Sequence, residues 1–333
     1  MLPVLAVLAA ALLFGTTGTA QALGPDGTTP LSVGAARLVI GGTGLAIVAL
    51  IALQRRRRVD AAASWVGMDP AARAHPAPAR APLTALRIRP RDGALVAVTA
   101  VCLVIYQPLF FFGTERNGVA VGTVVALGSA PVIAGVLEWI VRRTAPRATW
   151  LSATGLATVG VAMLGFGGQS ASGTGAADAG TDVLGMLASL GAGASFAVLA
   201  VAQRRLLDGG WSAMSAVGAM GGLSALLALP LLLFGDTAWL GSPTGIALAL
   251  WLGLVTVALA YALFTWGLAG LTAATAATLT LGEPLTASIL GITVLGERLA
   301  PLALAGLAVL AAGLVLLAWG SRAAKSRPFA VEG

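Results

Sequence analysis

"LTLGEPLTASILGITVLGERL", residues 279–299, is an apolar run that carries Glu283 beside Pro284. About 20 predominantly apolar residues are needed to cross a bilayer as a helix. Read as one such helix over 271–295, the segment puts Glu283 near its middle, too deep for the carboxylate to snorkel to water. An ionised acid there costs ~2.5–3.5 kcal/mol or more, and acids at that depth mark solute or ion pathways by default. The adjacent proline removes one backbone hydrogen bond. The stretch therefore reads as a functional helix of a membrane protein.

Composition agrees. The 333 residues are 58% hydrophobic and 10% charged, with a mean hydropathy of +0.92. Soluble domains carry about 25% charged residues, so the membrane class applies. The net charge of +7 does not imply a nucleic-acid partner, because the basic residues fall in the interruptions between apolar runs. A single cysteine, Cys102, excludes an intramolecular disulfide. Ten apolar segments are legible: 2–23, 32–53, 93–113, 117–141, 149–167, 183–203, 212–234, 244–268, 271–295 and 299–319. Most connections are short. Segment 54–92 is long and rich in Arg, Pro and Ala, and 168–182, "GGQSASGTGAADAGT", is a polar linker.

Charge orients the bundle. With the N-terminus inside, inner segments hold 17 of the 20 basic residues, outer segments hold Arg116 and Arg298, and Arg37 lies within the second helix. The positive-inside rule then places both termini in the cytoplasm of a bacterial cell with a multi-pass inner membrane. Ala20-Gln21-Ala22 mimics a signal-peptidase site, but no basic region precedes the apolar stretch, so the first helix is expected to stay.

The halves resemble one another. "GSAPVIAGVL" (128–137) aligns with "LGEPLTASIL" (281–290), Pro131 on Pro284, and the same offset sets Gly160 on Gly313. The second helix matches the seventh once the long loop 54–92 is allowed for. Five helices form an odd-numbered unit, so a second copy crosses in the opposite sense. The expected fold class is all-α integral membrane: two inverted five-helix repeats around a central cavity, with solute bound near the midplane. The first repeat covers 1–167, the external linker 168–182, the second repeat 183–320 and a cytoplasmic tail 321–333.

On "SVGAARLVIGG" (32–42), "LGEPLTASILGITVLGERL" (279–299 overall), "LAGLAVLAAGLVLLA" (304–318) and "ALLFGTTGTAQALGP" (11–25), the chain resembles the EamA-type transporters of the drug/metabolite transporter superfamily. Its first copy departs from the pattern, with "RRTAPR" where the second has "LGERLAP". The resemblance implies ten helices around a cavity and outward carriage of small metabolites, often amino acids, with drugs as a further solute class.

Individual residues follow. Glu283 and Pro284 are the leading candidates for solute binding or coupling, with Thr280 on the face of Glu283. Arg37 either snorkels or serves as a cavity cation that holds a solute carboxylate or pairs with Glu283. Tyr106 and Gln107, in "IYQPLFFFG" (105–113), and Thr17 and Tyr261 supply further polar groups for a solute, although threonines often bond their own backbone. Glu138 is expected to pair with Arg142 at i,i+4. Trp139, Trp150, Trp211, Trp239, Trp266 and Trp319 near helix ends read as an interfacial belt.

Other function classes fare worse. The single histidine, His75, lies outside the apolar runs, and no H-E-x-x-H or phosphate-cradling Gly-Lys motif occurs, so an enzyme, a metal and a cofactor are not expected. The expectation is a secondary transporter, a monomer or homodimer in the lipid bilayer, with a small-molecule substrate and protons as the candidate coupling ion. The alternatives are an uncoupled, channel-like facilitator and a structural membrane protein.

Overall fold

The computed structural model describes residues 1–66, 89–143, 146–171 and 182–323, all in helices and short connections with no strand among them. In chain order these are α1 (Leu2–Ala22), α2 (Pro30–Val66), α3 (Pro90–Arg142), α4 (Ala148–Ala171), α5 (Val183–Asp208) and α6 (Ala213–Leu233). After a 3₁₀ turn at Ala238–Gly241 come α7 (Pro243–Leu250), a π-helical segment (Trp251–Leu259) and α8 (Ala260–Leu268). Then follow α9 (Ala273–Leu279), α10 (Gly282–Thr293) and α11 (Pro301–Ala323). The linker 168–182 and the tail 321–333 lie largely outside the described residues.

Local chemistry sets the starts. Pro90 and Pro243 open α3 and α7, where a missing N–H costs nothing. Asp182, Ser212, Ser242 and Thr272 each cap a helix through a side-chain oxygen on a first-turn N–H.

Among the described residues, nine helical stretches are long and apolar enough to span a bilayer. Expected helices three and four form the single run α3, divided at Gly118, whose φ of 79° only glycine adopts readily. Segment 271–295 is not one span. It is broken between α9 and α10, so the expectation of a continuous ninth helix needs correction. The reason is local. Pro284 has no N–H for the carbonyl of Thr280, and that carbonyl instead accepts from Glu283 N at 2.9 Å, with Leu281 N on Thr278 O at 3.1 Å. These tight i→i+3 closures interrupt the ladder. Pro284 then sits, buried, in the first turn of α10. Pro131, its counterpart on the alignment, stays inside continuous helix.

Glycines let several helix pairs pack backbone to backbone, α2 on α6 and α4 on α11 among them. A Cβ on Gly42 would meet the carbonyl oxygen of Gly221, which joins α2 to α6. Where α4 crosses α11, a Cβ on Gly306 would come within 2.8 Å of Gly160 O, and one on Gly313 within 2.7 Å of Ala157 N. Small residues that let backbones approach in this way are what membrane helices use to associate. Further contacts join α3 to α5, and α1 to α8 and α10. At the centre lies α9, "AATAATL", touching α1, α3, α4, α5, α8 and α11. Its small side chains make that position possible, and Thr278 shares a buried 3.0 Å hydrogen bond with Thr154 of α4.

The two ends are distinguishable. Pro3 packs on Gly267 and Gly270, and Trp211 donates to Asp92, so one end gathers Met1, the start of α3, the α5–α6 turn and the α8–α9 turn. At the opposite end Arg116 pairs with Asp182 at 2.8 Å, and Trp239 donates to Ser32 at 3.1 Å. Trp239 is buried, so it belongs to the core and not to an interfacial belt; its indole N–H found a hydroxyl inside the fold. Trp139, Trp266 and Trp319 are exposed as expected.

Candidate functional site

Four elements bring ionisable or phenolic groups to one place. Arg37 stands one to two turns into α2, Tyr106 in the first part of α3, Tyr261 at the start of α8 and Glu283 in the first turn of α10. Arg37 lies within electrostatic reach of the other three. No ion pair joins Arg37 to Glu283 among the described residues, and the Nε of Arg37 is buried without a hydrogen-bond partner. Arg37, Tyr106 and Glu283 are half-buried, and Tyr261 is buried. A guanidinium that faces inward and sits among these groups is not a snorkelling interfacial arginine. A cation and an anion held near each other but unpaired can each receive the opposite end of a solute.

Glycines make this convergence possible. A Cβ on Gly15 would lie 2.7 Å from Glu283 O and 2.6 Å from the Cβ of Thr286, so α1 and α10 touch along their backbones. Gly34, one turn before Arg37, faces Gln107, whose side chain begins 3.6 Å from where a glycine Cβ would stand. Gln107 therefore reaches the α2 wall beside Arg37.

Aromatic rings line the same region. The ring of Phe14 meets Tyr261 edge-on, with centroids 5.1 Å apart. Phe196 of α5 bridges Tyr106 (6.4 Å) and Phe264 (5.7 Å), and Phe264 lies 6.3 Å from Tyr261. Sequence reading missed Phe14, Phe196 and Phe264. The "FG" of Phe14-Gly15, a ring beside a position of close approach, was the available signal; nothing local marks Phe196. Edge-to-face contacts of this kind hold rings in fixed orientation.

The remaining candidates separate. Thr17 is half-buried on α1, two positions beyond Gly15. Thr280 is buried, and its hydroxyl donates to Ala277 O at 2.7 Å, so it satisfies its own backbone at the break and offers a solute little. Pro284 is buried behind Glu283. The π-helical segment Trp251–Leu259 leads directly into Tyr261, and such local widening of a helix frequently accompanies functional sites. No group of three or more metal-ligating side chains occurs among the described residues.

Comparison with known proteins adds three findings. The model of the family described as "EamA-like transporter family" matches residues 1–166 and 183–319. A Bacillus subtilis (strain 168) protein, "Uncharacterized transporter YwfM", is 39% identical over 321 residues, covering 96% of this chain and 95% of its own. The fold is similar to a crystal structure with a TM-score of 0.69 at 18% identity, over 97% of this chain and 99% of the other, a likeness that bears on fold alone.

Proposed function

Because this chain belongs to the EamA-like transporter family, we propose that it is a secondary transporter that exports small zwitterionic metabolites, amino acids or close relatives, across the bacterial cell membrane by alternating access. One observation carries the reading: Arg37 and Glu283 converge from separate helices within electrostatic reach, yet form no ion pair. A solute with a carboxylate for Arg37 and an ammonium for Glu283 fits that arrangement, and the rings of Phe14, Tyr106 and Tyr261 suit an apolar side chain.

Pairing of elements supports an inverted repeat. If α1 corresponds to α5, and the first part of α3 to the Pro243–Leu268 stretch, the contact of α1 with α8 has its mirror in the contact of α3 with α5. The glycine-lined pairs α2–α6 and α4–α11 each join an element to its own counterpart, as a two-fold axis in the membrane plane requires. The separate family matches to 1–166 and 183–319 agree with that division. The family resemblance supports export as the direction, and the 17 inner basic residues support cytoplasmic termini.

Glu283 is also the candidate proton carrier. Purified protein in liposomes should exchange labelled amino acid against unlabelled amino acid inside. Arg37→Lys should weaken solute binding at least tenfold, because an ammonium replaces a bidentate fork. Glu283→Gln fixes the charge at zero and should abolish pH-driven accumulation. Parent-like pH dependence in that variant would remove the proton from the cycle and leave a facilitator. Absence of exchange with any amino acid, in protein that is folded and inserted, would overturn the zwitterion reading.

A further inference from the structure

We propose that a charged latch, built from Glu138 and Arg142 of α3 and Arg204 and Asp208 of α5, clamps the α8–α9 turn and holds the Met1 end of the bundle shut. This rests on the alternating-access reading and specifies which contacts must break for that end to open.

The latch has a defined anatomy. Glu138 Oε2 accepts from Ala274 N at 3.0 Å, while Thr272 Oγ1 accepts from Thr275 N at 3.1 Å. The first-turn donors of the central helix α9 are thus divided between its own cap and a carboxylate from α3. Arg204 supplies the complement. Its Nη1 donates to the carbonyl oxygens of Leu268 (2.7 Å), Ala269 (2.9 Å) and Leu271 (2.9 Å). A helix end leaves orphan carbonyls, and a helix start leaves orphan N–H groups. The turn between α8 and α9 has both, and residues from two other helices satisfy them. Asp208 then ties the system together, with Arg204 Nη2 at 2.8 Å and Arg142 Nη2 at 3.0 Å, and Arg142 Nε lies 3.2 Å from Glu138 Oε1. A cavity of about 400 Å³ beside these side chains gives them room to part.

Burial along α1, α9 and α10 is greater toward this end, which is what a closed Met1 end requires. The buried residues of α1 run from Val4 to Gly15 and stop there. In α9, Ala273, Ala274 and Ala276–Leu279 are buried, whereas α10 beyond the break buries only Gly282, Pro284 and Gly291. In these three elements the half toward Met1 is the more closely packed, while at the opposite end Val33, Ala36, Trp239, Leu248 and Leu252 form a separate buried cluster. Among the described residues the opposite end has no matching set: on the alignment of Pro131 with Pro284, Glu138 falls on Gly291 and Arg142 on Leu295. Two otherwise matching ends differ in what holds them closed.

The test reads accessibility at both ends of the same molecule. In a Cys102→Ala background, Ala277→Cys places a thiol in the more closely packed half, and Thr286→Cys, in a second protein, places one in the other half. Breaking the latch with Arg142→Ala, Asp208→Asn or Glu138→Gln should raise the labelling rate at 277 by a charged methanethiosulfonate about tenfold and lower it at 286. That is the change expected from a population shift of about 1.4 kcal/mol. A loosened or misfolded protein would raise both rates, so a fall at 286 separates opening from damage. Arg142→Lys should restore most of the parent pattern, and Arg116→Ala, at the opposite end, should not reproduce the effect. Unchanged labelling at 277 in folded Asp208→Asn and Glu138→Gln proteins would overturn the latch. If labelling shifts but the parent exchanges no amino acid, the latch stands and the zwitterion reading falls. If exchange is intact and labelling does not shift, the latch alone fails.

Discussion

A methyl group on Gly42 would land on the carbonyl oxygen of Gly221, while one on Gly18 would meet nothing within 4 Å. Both are glycines on apolar helices, and only the facing element separates them. Overpacked sites cost about 1–3 kcal/mol, so Gly42→Val should lower the thermal unfolding midpoint in detergent. Gly18→Ala should leave it unchanged or slightly raised, because alanine is the better helix former. Equal effects would contradict the tight α2–α6 crossing. Single residues also show how far sequence reading reaches. Glu283 stood out because a carboxylate in an apolar run is expensive wherever the chain folds. Arg37 was ambiguous, since depth alone does not reveal whether a long cation faces lipid or its neighbours. Thr280 misled, because the break that occupies its hydroxyl depends on Pro284 four residues later. Phe196 was invisible, as a phenylalanine in an apolar helix carries no signal until its partners are known.

Elements were legible where their chemistry is local. Prolines at first turns and Ser, Thr or Asp caps fixed most helix starts, and a span needs only length and apolarity. The division near Gly118 was legible, because Glu115, Arg116 and Asn117 interrupt the apolar sequence there, whereas the one at Thr280–Leu281 was not, since it lies within an apolar run. The start of α5 shows an element secured from outside itself. Asp182 accepts from Leu184 N at 2.8 Å and from Arg116, and Asn117 bonds both its N–H and its carbonyl. The Arg116 guanidinium, assisted by the Leu184 N–H, holds the Asp182 carboxyl below the usual aspartate range. A carboxylate with a depressed folded-state pKa stabilises the fold above its unfolded pKa, about 3.9, and that contribution is lost as pH falls through the folded value. Asp182→Asn should therefore flatten the acid limb of stability below about pH 4 while leaving the limb near neutrality in place. An unaltered acid limb, measured by unfolding midpoint against pH, would show that the pair contributes nothing to α5.

For the whole molecule, orientation is the accessible quantity. Asp236 is exposed at the Trp239 end and Arg147 is exposed near the start of α4, at the Met1 end. With cytoplasmic termini, a thiol at 236 in Cys102→Ala cells should react with a membrane-impermeant reagent added outside, and a thiol at 147 should react only after the cells are opened. The reverse pattern would invert the protein in the membrane. The proposed repeat rests in the sequence on one aligned pair of prolines and one of glycines, whereas nothing in the sequence marked the inequality of the ends. It arises from Glu138 and Arg204 reaching the α8–α9 turn, more than 60 positions away in sequence for Arg204 and 136 for Glu138.

The gap between α9 and α10 has one further mechanical consequence. A continuous helix behaves as a rod, and tilting one end tilts the other. At Thr280–Leu281, where i→i+3 bonds replace the regular ladder, the rod has a point at which it can bend. The seven residues of α9 can stay seated in the centre of the bundle while α10 swings against α1, which it meets at Gly15. Closure on the far side then need not wait for release on the near side. Under the alternating access proposed above, such a geometry would permit an occluded form, shut at both mouths with its cargo enclosed, between the two open ones.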